Sequence, residues 1–227
     1  YLNWGTFFHA PEANMLYQNS AYTGSWNFGN ADLRPETGST WSVGYNKQFN
    51  AKTDLSLSYF HSSLHDAFNW LPDSSHSYYT AVNSGDETKQ GFTLAAKHKF
   101  SDRWLARASY SYVHIDYDLD NSPNLLNYPH QYKVSVDYTL PKFRAQLAAR
   151  GGSGGDRSFL GNKAFADSSF FTMDLALDYQ FTKGWSMYGK IYNLTNASYT
   201  ELAGTENGSN LYPMPSRYFV IGAVYKF

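Results

Sequence analysis

His114-Ile-Asp116 sets an imidazole and a carboxylate two residues apart, on one face of any extended segment, near the end of a predicted strand. Such a pair can take a proton from water. Hydrolysis would also need an acidic pair facing it across a cleft, and no other segment announces one. A hydrated rim histidine is therefore the simpler expectation. Serines are plentiful, but none stands in a Gly-x-Ser-x-Gly elbow. Asp73 and Asp118-Leu-Asp120 offer oxygen ligands without the full spacing of a calcium loop. Gly151-Gly-Ser-Gly-Gly155 lacks the Lys-Ser/Thr and the helix of a phosphate loop, so a flexible loop base is expected. Asn193-Leu-Thr, Asn196-Ala-Ser and Asn207-Gly-Ser have sequon spacing and read as ordinary loop polarity. Cysteine is absent, which excludes a disulfide framework and thiolate metal sites. No enzyme, metal site or cofactor is expected.

Two other sets bear on binding. Trp26, Phe28, Trp70, Tyr78, Tyr79, Tyr117 and Tyr212 lie in or beside long polar segments. Semi-rigid aromatic surfaces of this kind hold large, flat or greasy small molecules, while some of these rings would instead join a membrane-interface belt. Alternation puts Lys97, Lys99, Arg107, Lys133, Arg144, Arg150, Lys190 and Lys226 on one face with Asp137, Asp174 and Asp178. If that face is an interior, it either carries a basic surface for a plug or for anions, or fills itself with salt bridges.

The elements that must position these residues are strands. Phe171, Met173, Leu175, Leu177, Tyr179 and Phe181 alternate with Thr172, Asp174, Ala176, Asp178 and Gln180, and Tyr132 to Leu140 repeats the pattern. With Tyr1–Phe8, the runs at Trp41, Leu55, Phe92, Trp104, Phe143 and Trp185, and the terminal run, ten strands are expected. Short polar turns near 50–53, 101–103, 140–142 and 182–184 alternate with long segments at about 10–37, 65–88, 118–130, 152–168 and 194–216. Short periplasmic turns opposite long extracellular loops are the rhythm of an outer-membrane barrel.

Composition agrees. Aromatics make up 19% of the 227 residues, yet mean hydropathy is only -0.52, so apolar residues are diluted at nearly every step. The last eleven residues put Phe219, Ile221, Ala223, Tyr225 and Phe227 on one face, an apolar strand that suits lipid better than water. No apolar run approaches the length of a membrane-spanning helix. Net charge is -1, and nothing points to nucleic acid. The predicted fold is all-β: one antiparallel transmembrane β-barrel of about ten strands over 1–227, in a Gram-negative outer membrane. If it closes on itself, Tyr1–Phe8 pairs with Arg217–Phe227.

Five segments resemble the TonB-dependent outer-membrane receptor family, in family order. Phe8-His-Ala-Pro-Glu-Ala-Asn-Met-Leu-Tyr17 is similar to its F-R-A-P-x-x-x-E-L-Y segment, and Gly29-Asn-Ala-Asp-Leu-Arg-Pro-Glu-Thr37 to G-N-P-x-L-K-P-E-T. Pro129-His130 resembles its P-x-H strand entry, Tyr192-Asn-Leu-Thr-Asn-Ala-Ser-Tyr199 its penultimate x-N-L-F-D-x-x-Y motif, and Ser216–Phe227 its terminal strand. His9 stands where the family has Arg, and Met15 where Glu is common. The resemblance covers the family's final ten strands, without the plug domain and earlier strands of a 22-strand barrel.

The resemblance implies outer-membrane transport, the uptake of a siderophore or haem chelate or of cobalamin. A plug-less reduced barrel with a structural or small-solute role is the alternative. Implied partners are outer-membrane lipid and lipopolysaccharide, the barrel assembly machinery reading Tyr225 and Phe227, a small-molecule ligand, and a separate plug domain with TonB if uptake is energised.

Overall fold

Ten alternating runs become ten long strands. A computed structural model describes residues 1–19, 26–72, 78–117, 128–155, 169–203 and 211–226. In chain order they form β1 (Leu2–His9), α1 (Ala13–Tyr17), β2 (Asn27–Phe28), β3 (Glu36–Asn50), β4 (Thr53–His65), β5 (Phe68–Pro72), β6 (Tyr79–Asn83) and β7 (Glu87–Lys99). There follow β8 (Trp104–Tyr117), β9 (His130–Thr139), β10 (Phe143–Ser153), β11 (Ser169–Gln180), β12 (Trp185–Tyr192), β13 (Thr200–Ala203), β14 (Leu211–Pro213) and β15 (Tyr218–Tyr225).

The long strands make one sheet in the order β1-β3-β4-β7-β8-β9-β10-β11-β12-β15. The short ones form two small sheets within the long segments, β2-β6-β5 and β13-β14. Strands of two to five residues are too brief for alternation to announce. β1 and β15 stand at the two ends of the order, each with a single neighbour among the described residues. The pairing of Tyr1–Phe8 with Arg217–Phe227 expected of self-closure is not among the ladders of the described residues.

The chain divides into two compact units, residues 1–43 with 59–91 and 114–122, and residues 44–58 with 92–113 and 123–227. The first holds β1, the small β2-β6-β5 sheet and the long-loop ends of β3, β4 and β7. The second holds the short-turn ends of those strands and nearly all of β8 through β15.

In the second unit the register stacks the alternation into cross-strand rows. Ala106, Val136, Leu147, Leu175, Ile191 and Phe219 face one another in one row. The next row, on the other face, is Arg107, Ser135, Ala148 and Asp174. A slip of one residue in any ladder would mix these rows, so the apolar face is a property of the register as well as of each strand. That face covers no core. Val134, Leu147, Phe219 and Ile221 are 48, 39, 66 and 78% exposed. The buried apolar residues among those described are only Leu33, Ala81, Tyr128 and Tyr199.

Three of the short turns are closed by their own side chains, and the fourth by the backbone bond from Leu140 N to Phe143 O at 2.7 Å. Asn50 Oδ1 accepts from Lys52 N at 2.8 Å, Ser101 Oγ from Trp104 N at 3.2 Å, and Thr182 Oγ1 from Trp185 N at 3.1 Å. At the second of these turns Lys99 Nζ donates to Asp102 at 2.7 Å, and that hydrogen bond with its charge holds the carboxyl below the usual carboxylate range.

Candidate functional site

At the long-loop end of the first unit, polar side chains fasten the loops to the sheet. Asn30 N donates to Met15 O at 2.7 Å, closing the segment after α1, and Asn30 Nδ2 reaches Ala81 O at 3.1 Å. Asn83 Oδ1 accepts from Arg34 N, while its Nδ2 donates to the carbonyls of Arg34 and Asp66. Glu36 Oε1 accepts from Phe68 N at 2.6 Å, and its other oxygen meets His9 Nδ1 at 3.0 Å. The Gly29–Thr37 motif is thus a fastening that ties α1, β5 and β6 to the start of β3. His9, at the end of β1, reaches the same Glu36 carboxylate.

This fastening presents aromatic rings on two faces. In the β2-β6-β5 sheet Trp70 stands opposite Ala81 and Pro72 opposite Tyr79, so Trp70 and Tyr79 share one face. Phe28 pairs with Thr80 on the opposite face, and its ring lies edge-on to Tyr78 at 4.9 Å. Trp26, whose carbonyl accepts from Tyr79 N, is 72% exposed; Tyr78 and Tyr79 are 37 and 43% exposed. The structure therefore brings together Phe28 with Tyr78, and Trp70 with Tyr79, rather than one continuous platform. The side chains of Tyr117 and Tyr212 lie outside the described residues, as does Phe227. Tyr225 is on the apolar face, 47% exposed, with its ring 4.7 Å from Trp185.

The second unit has its own joint. Asn193, at φ 50, is buried, and its Nδ2 donates to Ala197 O at 2.8 Å and Pro215 O at 3.0 Å. Its Oδ1 accepts from Ala197 N and its backbone N–H donates to Asp174 Oδ1. Sequon spacing pointed to loop polarity, but the side chain of Asn193 is a structural clip. Only the partners, up to 22 residues distant, reveal that. Beside it Phe170 stacks on Tyr199 at 4.5 Å, Tyr128 meets Phe170 edge-on at 4.9 Å, and Arg150 donates to Tyr199 Oη at 2.7 Å.

Gly151 and Gly152, expected as a flexible loop base, instead continue β10 opposite Phe171 and Phe170. A Cβ on Gly151 would collide with the Tyr132 ring, and one on Gly152 would lie 2.7 Å from Tyr128 Cβ. Glycine is required there by ring packing across the ladder.

The polar face mixes the two expected arrangements. Asp137 is almost fully buried and accepts from Arg107, from Arg144 at 3.0 Å and from Gln146 at 2.9 Å. Lys97 pairs with Asp54 at 3.1 Å. Above these pairs a cavity of about 830 Å³ is lined by Asp54, Lys97, Arg107, Lys133, Arg150 and Asp174. Lys133 has no ion-pair partner there among the described residues. Salt bridges fill part of this face and leave room beside it.

His114 and Asp116 meet at 2.9 Å, both well exposed, and no further His, Asp or Glu joins them in a metal-holding group among the described residues. Asp73, Asp118 and Asp120 lie outside the described residues.

The fold is similar to that of solved transport and receptor proteins. The whole chain superposes on 36% of the copper transporter OprC at TM-score 0.74 and 19% identity. It also superposes on 32% of the ferric-catecholate import receptor Fiu from K12 E. coli at TM-score 0.71 and 17% identity. For the pyoverdine outer-membrane receptor FpvA from Pseudomonas aeruginosa PAO1, 99% of the chain matches 33% of the receptor at TM-score 0.71 and 14% identity. The chain thus spans about a third of the length of each. No curated protein matches it by sequence. The family model described as TonB dependent receptor-like, beta-barrel matches residues 1–194, and with its ten-stranded antiparallel sheet the chain belongs to that family.

Proposed function

We propose that this chain is one wall of a Gram-negative outer-membrane receptor that takes up a small metal chelate or cobalamin, acting as a single domain over residues 1–227. The observation that carries the reading is the apolar row from Ala106 to Phe219, aligned across six strands and covering no core. Exposed side chains such as Ile221 and Phe219 would make an aggregation surface in water, and in a bilayer they face a matching solvent. The family supplies the direction of the function. The copper, ferric-catecholate and pyoverdine proteins to which the fold is similar support a metal or a metal chelate as cargo.

In this reading the short turns are periplasmic and the fastened loops extracellular, with Trp26, Trp70 and Tyr79 among the rings that meet the ligand and Phe28 and Tyr78 supporting them. Tyr117 and Tyr212 belong to the same proposed rim. The polar face with its cavity looks onto the transport path and toward a plug, carried by the same protein or another chain, that engages TonB. Lipopolysaccharide and the barrel assembly machinery, which reads Tyr225 and Phe227, complete the partners. Backbone groups left unpaired in hydrocarbon cost several kcal/mol each, so β1 and β15, with one neighbour apiece, favour further strands beside them over a free-standing pore.

The test is accumulation of labelled ferric siderophores, haem, copper and cobalamin by cells with and without the gene. Uptake of one of them should depend on the gene and on TonB, and its rate should fall, or its Km rise, at least tenfold when Trp26 and Tyr79 are both replaced by Ala. Uptake of all four unchanged by deletion would refute transport of this class.

A further inference from the structure

We propose that the short-turn rim formed by the ends of the neighbouring strands β10, β11, β12 and β15 is a binding site for the phosphate headgroup of an anionic phospholipid of the periplasmic leaflet, held by Lys142, Lys183 and Lys226. The proposal rests on the outer-membrane reading above. Two backbone bonds assemble the site: Gln180 N donates to Lys142 O and Lys226 N to Gly184 O, each at 2.8 Å. A Cβ on Gly184 would come within 3.0 Å of the Tyr225 ring, so the end of β15 lies close against this turn. The three lysines line a groove of about 340 Å³ together with Arg144, Asp178 and Trp185.

The number of lysines on one groove distinguishes this corner from its neighbours. At the other short turns Lys97 pairs with Asp54 and Lys99 with Asp102, while Lys52 and Arg103 form no ion pair among the described residues. Arg144 is already committed to Asp137. Lys142, Lys183 and Lys226 form no ion pair among the described residues, and Asp178 is the one carboxylate on the groove. Three lysines lining one groove beside a single carboxylate favour an anion, and a phosphate is the compact anion that lysines hold well.

The flanking surface selects the source. Phe181, Trp185 and Tyr225 are 48, 51 and 47% exposed around the same turn, with Trp185 and Tyr225 in ring contact. Aromatic rings sit at headgroup depth, and basic pockets at that depth take anionic headgroups. Lys226 alternates with Tyr225 and so starts from the polar face, whereas Lys142 and Lys183 stand in turns at the edge between the two faces. At that edge a phospholipid would use both features at once, its phosphate on the lysines and its glycerol and acyl chains along the rings. Inorganic phosphate would use only the first. A zwitterionic lipid brings its own ammonium, which the lysines repel.

The protein purified from outer membranes in detergent is titrated with phosphatidylglycerol, with phosphatidylethanolamine and with inorganic phosphate, and bound lipid is read by native mass spectrometry. Phosphatidylglycerol should be retained at least about tenfold more than phosphatidylethanolamine. The combined variant Lys142→Gln, Lys183→Gln, Lys226→Gln should lose that preference. Lys52→Gln with Arg103→Gln, which removes charge from other short turns, should keep it. Equal retention of the two lipids, an unchanged preference in the triple variant, or full displacement by millimolar inorganic phosphate would each overturn the site. Protein recovered without detergent would instead refute the outer-membrane reading itself.

Discussion

Leu147→Arg tests the assignment of faces at its centre. Leu147 is four residues into β10 from Phe143. At about 3.3 Å per residue and a strand tilt of about 40°, it lies roughly 10 Å along the membrane normal from the short-turn girdle. An apolar band about 25 Å tall has its middle close to that depth, where an arginine costs about 2–4 kcal/mol. Its row neighbours Val136 and Leu175 are also apolar, so no acceptor waits for the guanidinium. The matched control is Ser135→Arg, one row away on the polar face, where Ser135 borders the 830 Å³ cavity and the new side chain stays hydrated. Its cost should be about 0–1 kcal/mol. Thr172, on the same face, is a poor control because it is only 2% exposed. Urea-driven unfolding of protein reconstituted in phospholipid vesicles gives both values. Equal losses at Leu147 and Ser135 would mean that the two faces see the same solvent, and the membrane reading would fall.

Two further changes probe the joints. Asn193→Gly keeps the positive φ within easy reach but removes donors to Ala197 and Pro215, so about 2–4 kcal/mol of stability should be lost, read as a fall in the urea midpoint; a neutral result would show that the backbone turn alone holds the segment. Asp137→Asn strips the shared acceptor from Arg107, Arg144 and Gln146 and should cost about 1–3 kcal/mol, with part recovered on adding Arg107→Gln; no recovery in the double variant would deny that the cluster is electrostatic.

The wall was legible because a period of two is the strongest signal a strand can carry, and here ten runs carried it between turns made of Asn, Ser, Thr and Gly. β10 and β11 were readable from Phe143 to Leu147 and from Phe171 to Phe181 alone, and their ladder then aligned the two faces as each strand implied. What escaped depends on partners distant in the chain. Asn193 looks like any loop asparagine until Pro215 and Asp174 close around it. Gly151 and Gly152 look flexible until Tyr132 and Tyr128 are laid across them. The aromatic set was found by composition, but its division between two faces of the β2-β6-β5 sheet depends on pairings of only a few residues, which leave no periodic trace.

The clip at Asn193 also has a meaning for how such a protein diversifies. One side chain grips Ala197 on the way out and Pro215 on the way back, so the chain between them leaves and returns at a single fixed gate. Closing a loop that is already gated is insensitive to its contents, since each doubling of length adds only about 0.6 kcal/mol of closure entropy. Insertions and exchanges between the two gateposts can therefore accumulate with little effect on the wall. Selection could rewrite what the rim recognises while the residues that keep β12 and β15 in register stay fixed.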